Sequence, residues 1–244
     1  MAVCPVQGTN LADAILPSMS ELIHEIIPVG WLQCNCSVLG DPETKEALVV
    51  DPGDEVERIL DVVRKHQLNV RAIVNTHAHI DHVGGLAKMH AVTGAPVLMH
   101  SEDLELYRML DMQAQFIGMS MPAMAKVDGL LKEGDSVRWG NCEARVIHTP
   151  GHTRGSVCLH LPDNAAGQAV NPCRAAKGRL IAGDTLFAGS IGRTDLWGGS
   201  FEGILRSIQA KLLALPDETR VFPGHGPETT IGAERESNPF LRGL

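Results

Sequence analysis

The chain has 244 residues, 44% of them hydrophobic and 20% charged, with a formal net charge of −8 at pH 7, an ordinary composition for one large globular domain with a substantial core. The acidic balance argues against nucleic acid as a partner, because affinity for phosphates comes mostly from lysine and arginine. No run approaches the roughly 20 apolar residues of a membrane span, residues 1–20 lack the basic and apolar regions of a signal peptide, and the six cysteines are expected as reduced thiols in a cytoplasm.

Residues 31–39 and 47–50 are β-type runs around the polar turn Asp41-Pro42-Glu43-Thr44-Lys45 and predict a hairpin. Within it Cys34 and Cys36 read as small, partly buried strand residues, since no second pair accompanies them as a soft metal site would need. Asp54 is expected to cap a helix with Val56, Ile59, Leu60 and Val63 on one face and its end near Gln67. Residues 70–74 predict a buried strand, and Thr76-His77-Ala78-His79-Ile80-Asp81-His82 is expected on the loop leaving its C-terminal end. A short helix over 84–90, a strand over 96–99 and a helix over 102–115 capped by Ser101 follow. Met109, Met112, Phe116, Met119, Met121 and Met124, interrupted by Gly118 and Pro122, predict an adaptable apolar wall over the cleft, with ordinary helix core as the alternative. Further on come a hairpin over 137–144 with a Gly-Asn turn, a strand over 156–161, a surface insertion over 163–178, a strand leading to Asp184, and a helix over 201–215. This alternation suits two packed sheets flanked by helices, an αββα sandwich with its polar residues on loops at one edge.

Three imidazoles and a carboxylate in one heptapeptide read as a metal site. Histidine is the commonest ligand near neutral pH, and imidazole with carboxylate oxygen suits zinc, iron or manganese better than calcium or magnesium. The pairing of strand end with ligand recurs: residues 146–152 deliver His152 after Pro150-Gly151, residues 180–184 deliver Asp184, and residues 220–226 deliver His225 after Pro223-Gly224. No G-x-S-x-G elbow offers a nucleophilic serine, and no helical HExxH spacing is present.

Taken together, the His-x-His-x-Asp-His cluster, Pro150-Gly151-His152, Gly183-Asp184-Thr185-Leu186-Phe187 and Pro223-Gly224-His225-Gly226 resemble the metallo-β-lactamase superfamily in order and spacing, from about Leu32 to His225. Within it the chain is most similar to short bacterial relatives of the glyoxalase II thioesterases. That likeness is carried by Gly183 to Phe187, by Gly189-Ser190-Ile191-Gly192-Arg193-Thr194-Asp195, and by Glu234-Arg235-Glu236-Ser237-Asn238-Pro239-Phe240. The resemblance implies an α/β fold of the αββα type as a single domain over 1–244, without the C-terminal helical domain that helps full-length glyoxalase II hold glutathione. It implies two divalent metal ions, zinc first, with iron or manganese as alternatives. His77, His79 and His152 would hold one, Asp81, His82 and His225 the other, and Asp184 would bridge them.

Two cations sharing a water lower its pKa from about 15.7 toward 7 and present hydroxide to a carbonyl. The implied reaction is hydrolysis of hydroxyacylglutathione, such as S-lactoylglutathione, to a hydroxy acid and glutathione, with Asp81 orienting the attacking group. Arg193 is the candidate for a substrate carboxylate, since a guanidinium fork matches it bidentately, and a pair with Asp195 is its plainer alternative. The rival enzyme class is a persulfide dioxygenase with a single iron on His77, His152 and Asp184. Lactamase activity is less favoured, because Asp184 stands where thiolate-using zinc β-lactamases have cysteine. A non-catalytic binding module would be favoured by a missing ligand, and none is missing. His24, His66, His90, His100, His148 and His160 lack a motif and read as surface or satisfied core groups, with His100 and His148 as candidate supports at strand ends. Asp51 is expected to accept a hydrogen bond from a ligand histidine.

Overall fold

The computed structural model describes residues 21–162 and 177–243, so the expected absence of a leader and most of the expected surface insertion lie outside the described residues. Sheet one runs β1 (Ile23–Val29), β2 (Cys34–Gly40), β3 (Glu46–Val50), β4 (Asn69–Val74), β5 (Val97–His100) and β6 (Gly129–Leu131), in that spatial order. β2 and β3 form the expected hairpin, with Ser37 opposite Val50 and Gly40 opposite Ala47. The first run is shorter than expected. Trp31 and Leu32 belong to a turn closed by Gln33 N donating to the Gly30 carbonyl at 3.2 Å, with Gly30 at φ 68° and Gln33 at φ 56°. β1 itself was not expected from the sequence. Pro28 interrupts its pattern, and the strand is tolerated because, among the described residues, it lies at the sheet edge and pairs only with β2.

β3, β4, β5 and β6 are parallel neighbours, so helices cross between them: α1 (Val56–Lys65), α2 (Ile80–Val83), α3 (Leu86–Thr93), α4 (Leu104–Arg108) and α5 (Leu110–Ile117). α1 buries the expected Val56, Ile59, Leu60 and Val63. Asp54 does not cap it. Glu55 holds that position in the left-handed region, and Asp54 Oδ1 accepts from the Glu55 N–H at 2.6 Å. Likewise the turn at Ser101 is capped by His100, whose ring accepts from Glu102 N. The single helix expected over 102–115 is broken at Met109, and the Leu106 carbonyl receives Gln113 Nε2 at 2.9 Å.

Sheet two contains β7 (Ser136–Trp139), β8 (Cys142–His148), β9 (Val157–Leu161) and β10 (Arg179–Gly183). A two-stranded ribbon of β11 (Leu186–Phe187) and β12 (Ser190–Ile191) follows, then α6 (Phe201–Ser207), which continues into a π-helical turn over Ile208–Leu212. β13 (Arg220–Pro223), β14 (Thr229–Thr230) and α7 (Ile231–Ser237) complete the fold, the sheet order being β14-β13-β10-β9-β8-β7. β8 and β10 both run antiparallel to β9, and β13 runs parallel to β10. The carboxyl ends of β8, β10 and β13 therefore emerge at one edge.

Strand alternation distributes the core into three layers. Leu48, Val50 and Val74 face Trp139, Val146, Leu159, Ile181 and Phe222 between the sheets. Their neighbours Val49 and Ile73 point the other way, onto Ile59, Leu86, Met89 and Leu110. Leu180, Ala182 and Val221 cover the outer face of sheet two against Ile204, Ile208, Leu212 and Ile231. Each fully buried Leu or Ile stabilises by about 1.5–3 kcal/mol relative to exposure. The result is the expected αββα sandwich. Cys34, Cys36 and Cys158 are free and buried, whereas Cys142 is disulfide-bonded, which corrects the expectation of six reduced thiols. Among the described residues no helix is long and apolar enough to cross a membrane.

Candidate metal centre

The backbone leaving β4 is pinned before it reaches the first histidine. Thr76 donates its N–H to Asp51 Oδ1 at 2.7 Å and its hydroxyl to Asp51 Oδ2 at 2.6 Å. His77 and His79 then lie on the expected loop, but Asp81 and His82 ride on the short helix α2, which corrects their placement. The helical turn rotates these adjacent residues apart by about 100° and lets both reach one centre. His152 comes from the β8–β9 loop, Asp184 from the end of β10 and His225 from the end of β13.

Seven candidate side chains from four separate strand ends converge. His152 Nε2 lies 2.8 Å from His79 Nδ1 and 3.2 Å from His77 Nε2. His225 Nε2 lies 3.3 Å from His82 Nε2 and 3.1 Å from Asp81 Oδ2. Asp184 stands between the two groups, Oδ2 at 3.6 Å from His152 Nε2 and 3.7 Å from His225 Nε2, and Oδ1 at 3.4 Å from His82 Nε2. His77, His79 and His152 form one set of donor atoms close enough to share a cation, and Asp81, His82 and His225 form another.

The outer hydrogen bonds decide what the inner atoms can be. His152 Nδ1 is 2.7 Å from the Arg193 carbonyl and His225 Nδ1 is 3.0 Å from the Leu32 carbonyl. A carbonyl only accepts, so both Nδ1 atoms carry protons, and Nε2 is the atom that each ring turns inward and can offer to a cation. His82 Nδ1 faces Asp51 Oδ2 at 3.0 Å and is fixed in the same sense, as expected of Asp51. His77 Nδ1 meets Thr76 Oγ1 at 3.1 Å, whose own proton goes to Asp51. Lone pairs and two carboxylates thus confront one another across about 3 Å, and among the described residues Asp184 Oδ1 is buried without a hydrogen-bond partner. Such a set of acceptors is resolved by cations. The residues present fit divalent metal ions.

Protons can substitute for that charge only in part. Burial and the surrounding imidazoles hold His77 well below its ordinary value, and burial with His152 lowers His79 to about 3. Burial opposes charge on His82 and on His225 as well, yet Asp81 and Asp184 raise both. Burial pushes Asp184 up, but His82, His152 and His225 outweigh it and hold the carboxyl below its usual range. Burial keeps Cys34 protonated, pushed up to about 12, beside the outer face of His82 at 3.5 Å. Gly224 makes room for the shared acid, since a Cβ there would overlap Asp184 Oδ1 and come within 2.8 Å of His82 Cε1.

A cavity of about 490 Å³ opens over these atoms, bounded by Trp31, Leu32, Phe116, Ile117, Leu196 and Trp197 together with Gln113 and Arg193. Trp31 and Phe116 remain 74% and 64% exposed, and Phe116 meets Trp197 edge-on at 5.5 Å between ring centroids. The expected methionine wall is therefore corrected: Phe116 lines this cavity, Met119 lines a smaller neighbouring one of about 140 Å³, and Met109, Met112, Met121 and Met124 line neither. Arg193 reaches the cleft, but its guanidinium is held bidentately by Asp195 at 2.8 and 2.9 Å. His100 and His148 stack on each other at 4.0 Å and bond to the backbone of Glu102 and Arg154 rather than to a candidate ligand.

Sequence reasoning passed over Asp103, Gln113, Trp31 and Trp197. Only the tryptophans carried a signal, as large aromatics beside glycines in turn segments.

Residues 29–165 and 168–225 match the family model described as the Metallo-beta-lactamase superfamily. An uncharacterized protein of Mycobacterium leprae is 43% identical over 227 residues, covering 89% of this chain and 97% of its own. Hydroxyacylglutathione hydrolase GloC of Haemophilus influenzae is 38% identical over 218 residues, covering 89% and 97%. Among solved structures, the BLEG-1 B3 metallo-beta-lactamase superposes with a TM-score of 0.80 at 37% identity, covering 91% of this chain and 100% of that one. TTHA1623 in a di-iron-bound form gives 0.74 at 37%, covering 89% and 100%. ETHE1 from Myxococcus xanthus gives 0.70 at 27%, covering 89% and 83%.

Proposed function

The chain belongs to the metallo-beta-lactamase superfamily, and from that premise we propose that it is a metal-dependent thioesterase that hydrolyses hydroxyacylglutathione, such as S-lactoylglutathione, to a hydroxy acid and glutathione. His77, His79 and His152 would hold one divalent cation, Asp81, His82 and His225 a second, with Asp184 shared between them. Bound there, the cations supply Lewis acidity toward the thioester carbonyl and acidify a water. The protein does the rest through position. Asp81, at the more open edge of the centre with its side chain 18% exposed, accepts a hydrogen bond from the attacking water and aims it at the carbonyl carbon. The thiolate departs without a general acid, being a good leaving group.

The observation that carries this reading is the set of inward lone pairs fixed by outer hydrogen bonds beneath an open cleft. The likeness to GloC supports the acyl and thiol groups. Zinc is the first expectation for the metal. Iron is also supported, since TTHA1623, similar to this chain, has been solved in a di-iron-bound form. Free Cys34, Cys36 and Cys158 support a cytoplasmic setting, from which disulfide-bonded Cys142 departs.

A second reading, an iron-dependent persulfide dioxygenase, is favoured by one arrangement. His77 Nε2 and Asp184 Oδ2 both lie close to His152 Nε2, at 3.2 and 3.6 Å, as a two-histidine, one-carboxylate face requires. The test measures metal content, thioester hydrolysis, oxygen uptake and β-lactam hydrolysis on one preparation. Two metals per chain with thioester cleavage are expected. One iron per chain with oxygen uptake and no thioester cleavage would replace the thioesterase by the dioxygenase, and turnover of the β-lactam alone would replace it by a lactamase.

A further inference from the structure

The two loops that carry His77, His79 and His152 leave different sheets, and one buried carboxylate ties them together. Asp103 follows β5 and is 1% exposed. Its Oδ2 accepts from Ala78 N at 2.8 Å and from Thr153 Oγ1 at 2.9 Å, and its Oδ1 accepts from Gly155 N at 2.6 Å. Ala78 is the residue between His77 and His79, and Thr153 is the residue after His152. Gln113 extends the arrangement from α5, its Oε1 accepting from Ile80 N at 2.9 Å and its Nε2 donating to the Ala78 carbonyl at 3.1 Å. The peptides on both sides of His79 are thereby held without any contact to its ring.

Asp51 reaches one ligand of each set, His77 through Thr76 and His82 directly at Nδ1. The two acids act differently. Asp51 touches a candidate ligand, whereas Asp103 touches none and acts only on the backbone and on Thr153. We infer that Asp103 is a positioning residue that pre-sets the convergence of His77, His79 and His152, and so governs the affinity of that set for a cation while leaving the Asp81, His82 and His225 set unaffected. The inference rests on the two-set reading proposed above.

All three partners of Asp103 are donors. An asparagine there turns an amide N–H toward at least one of them, leaving a buried donor unpaired and the two loops free to separate. Outer partners of metal ligands, when lost, weaken metal affinity by about 10- to 100-fold, and that is the size of effect expected.

The experiment is calorimetric titration of metal-free protein with Zn²⁺ in backgrounds that isolate each set. With His225→Ala, which disables the second set, adding Asp103→Asn should weaken Zn²⁺ binding by about 10- to 100-fold. With His152→Ala, which disables the first, the same change should leave the remaining affinity within about twofold. Thr153→Val guards against a variant that does not fold, because it removes one of the three bonds and keeps the carboxylate and both backbone N–H partners. It should weaken the first set by a smaller factor than Asp103→Asn, about several-fold, because only one of the three bonds is lost. Equal losses in both backgrounds, or a lowered melting temperature with unchanged Zn²⁺ affinity, would overturn the assignment and leave Asp103 a structural staple. Wild-type protein that binds no cation would overturn the two-set reading itself, whereas wild-type binding at both sets with insensitive variants overturns only the role of Asp103.

Discussion

Gly224→Ala tests the shared position of Asp184 without removing any candidate ligand. Gly224 is not in the left-handed region, so alanine is free to adopt its backbone, and the only consequence is the new methyl. That carbon would overlap Asp184 Oδ1 and stand 2.8 Å from His82 Cε1, where real contacts below 3.0 Å essentially do not occur. Asp184 must therefore shift by about 1 Å, a misplacement that costs on the order of 10²-fold in rate at a reacting centre. Gly224 N also donates to the Gly183 carbonyl at 2.8 Å, so the backbone beside Asp184 cannot simply retreat. The cost in stability should be that of overpacking a tight site, about 1–3 kcal/mol. Steady-state thioester hydrolysis with elemental analysis measures the first effect, and urea unfolding of metal-free protein the second. A Gly224→Ala protein with full metal content and activity within about twofold of wild type would refute the crowding argument and, with it, the bridging place of Asp184.

The remaining expectations concern the cleft and a buried histidine. Arg193→Ala should raise KM several-fold for glutathione thioesters and leave a small thioester without carboxylates unaffected, while Asp195→Ala, by releasing the guanidinium, should lower that KM; equal effects on both substrates would mean that Arg193 serves only to present its carbonyl to His152. Phe116→Ala should change the ranking of acyl chain lengths a few-fold in kcat/KM with little change in melting temperature, because the ring is 64% exposed; lost stability with an unchanged ranking would make it core. Burial, then the charge of Arg179, lowers His24 to about 3, and the ring accepts from Arg179 through Nδ1 and meets Ser37 through Nε2. The unfolded chain therefore takes up this proton first, so the contribution of neutral His24 is complete above pH 6.5 and is lost as the pH falls toward 3. Between pH 7 and 5 the loss is about 2 kcal/mol, and urea titrations should show that much less pH dependence in His24→Gln; identical slopes in both proteins would refute it.

Residue type and local period were enough to write down the strands that end in ligands, the amphipathic face of α1, the hairpin around Asp41 and the two-sheet architecture. They were enough because each is a property of a few neighbours in sequence: alternation for a strand, a 3.6-residue stripe for a helix, glycine and proline where a ligand loop turns. The candidate ligands were legible for the same reason, since imidazoles and carboxylates clustered at strand ends have little other use. Local signals misled where a side chain had two uses. Asp54 and Ser101 look like caps, but Glu55 holds the first cap position and the ring of His100 takes the second. Asp81 and His82 were expected on a loop, but they ride on α2, whose turn rotates them apart.

Tertiary structure alone decided the rest. Trp31, Phe116 and Trp197 form one cleft only because the β1–β2 turn, the end of α5 and the segment before α6 meet over the sheet edge. Asp103 and Gln113 show no pattern in the chain, yet Asp103 holds Ala78 and Thr153 from 25 and 50 residues away and Gln113 holds Ala78 from 35. Arg193 lines the cleft, and of the two uses its sequence offered the pair with Asp195 is the one the structure forms. A sequence specifies which groups are present and which local shape each segment prefers. Which groups meet, and which are shielded from water when they do, depends on how the sheets pack over distances that no local pattern spans.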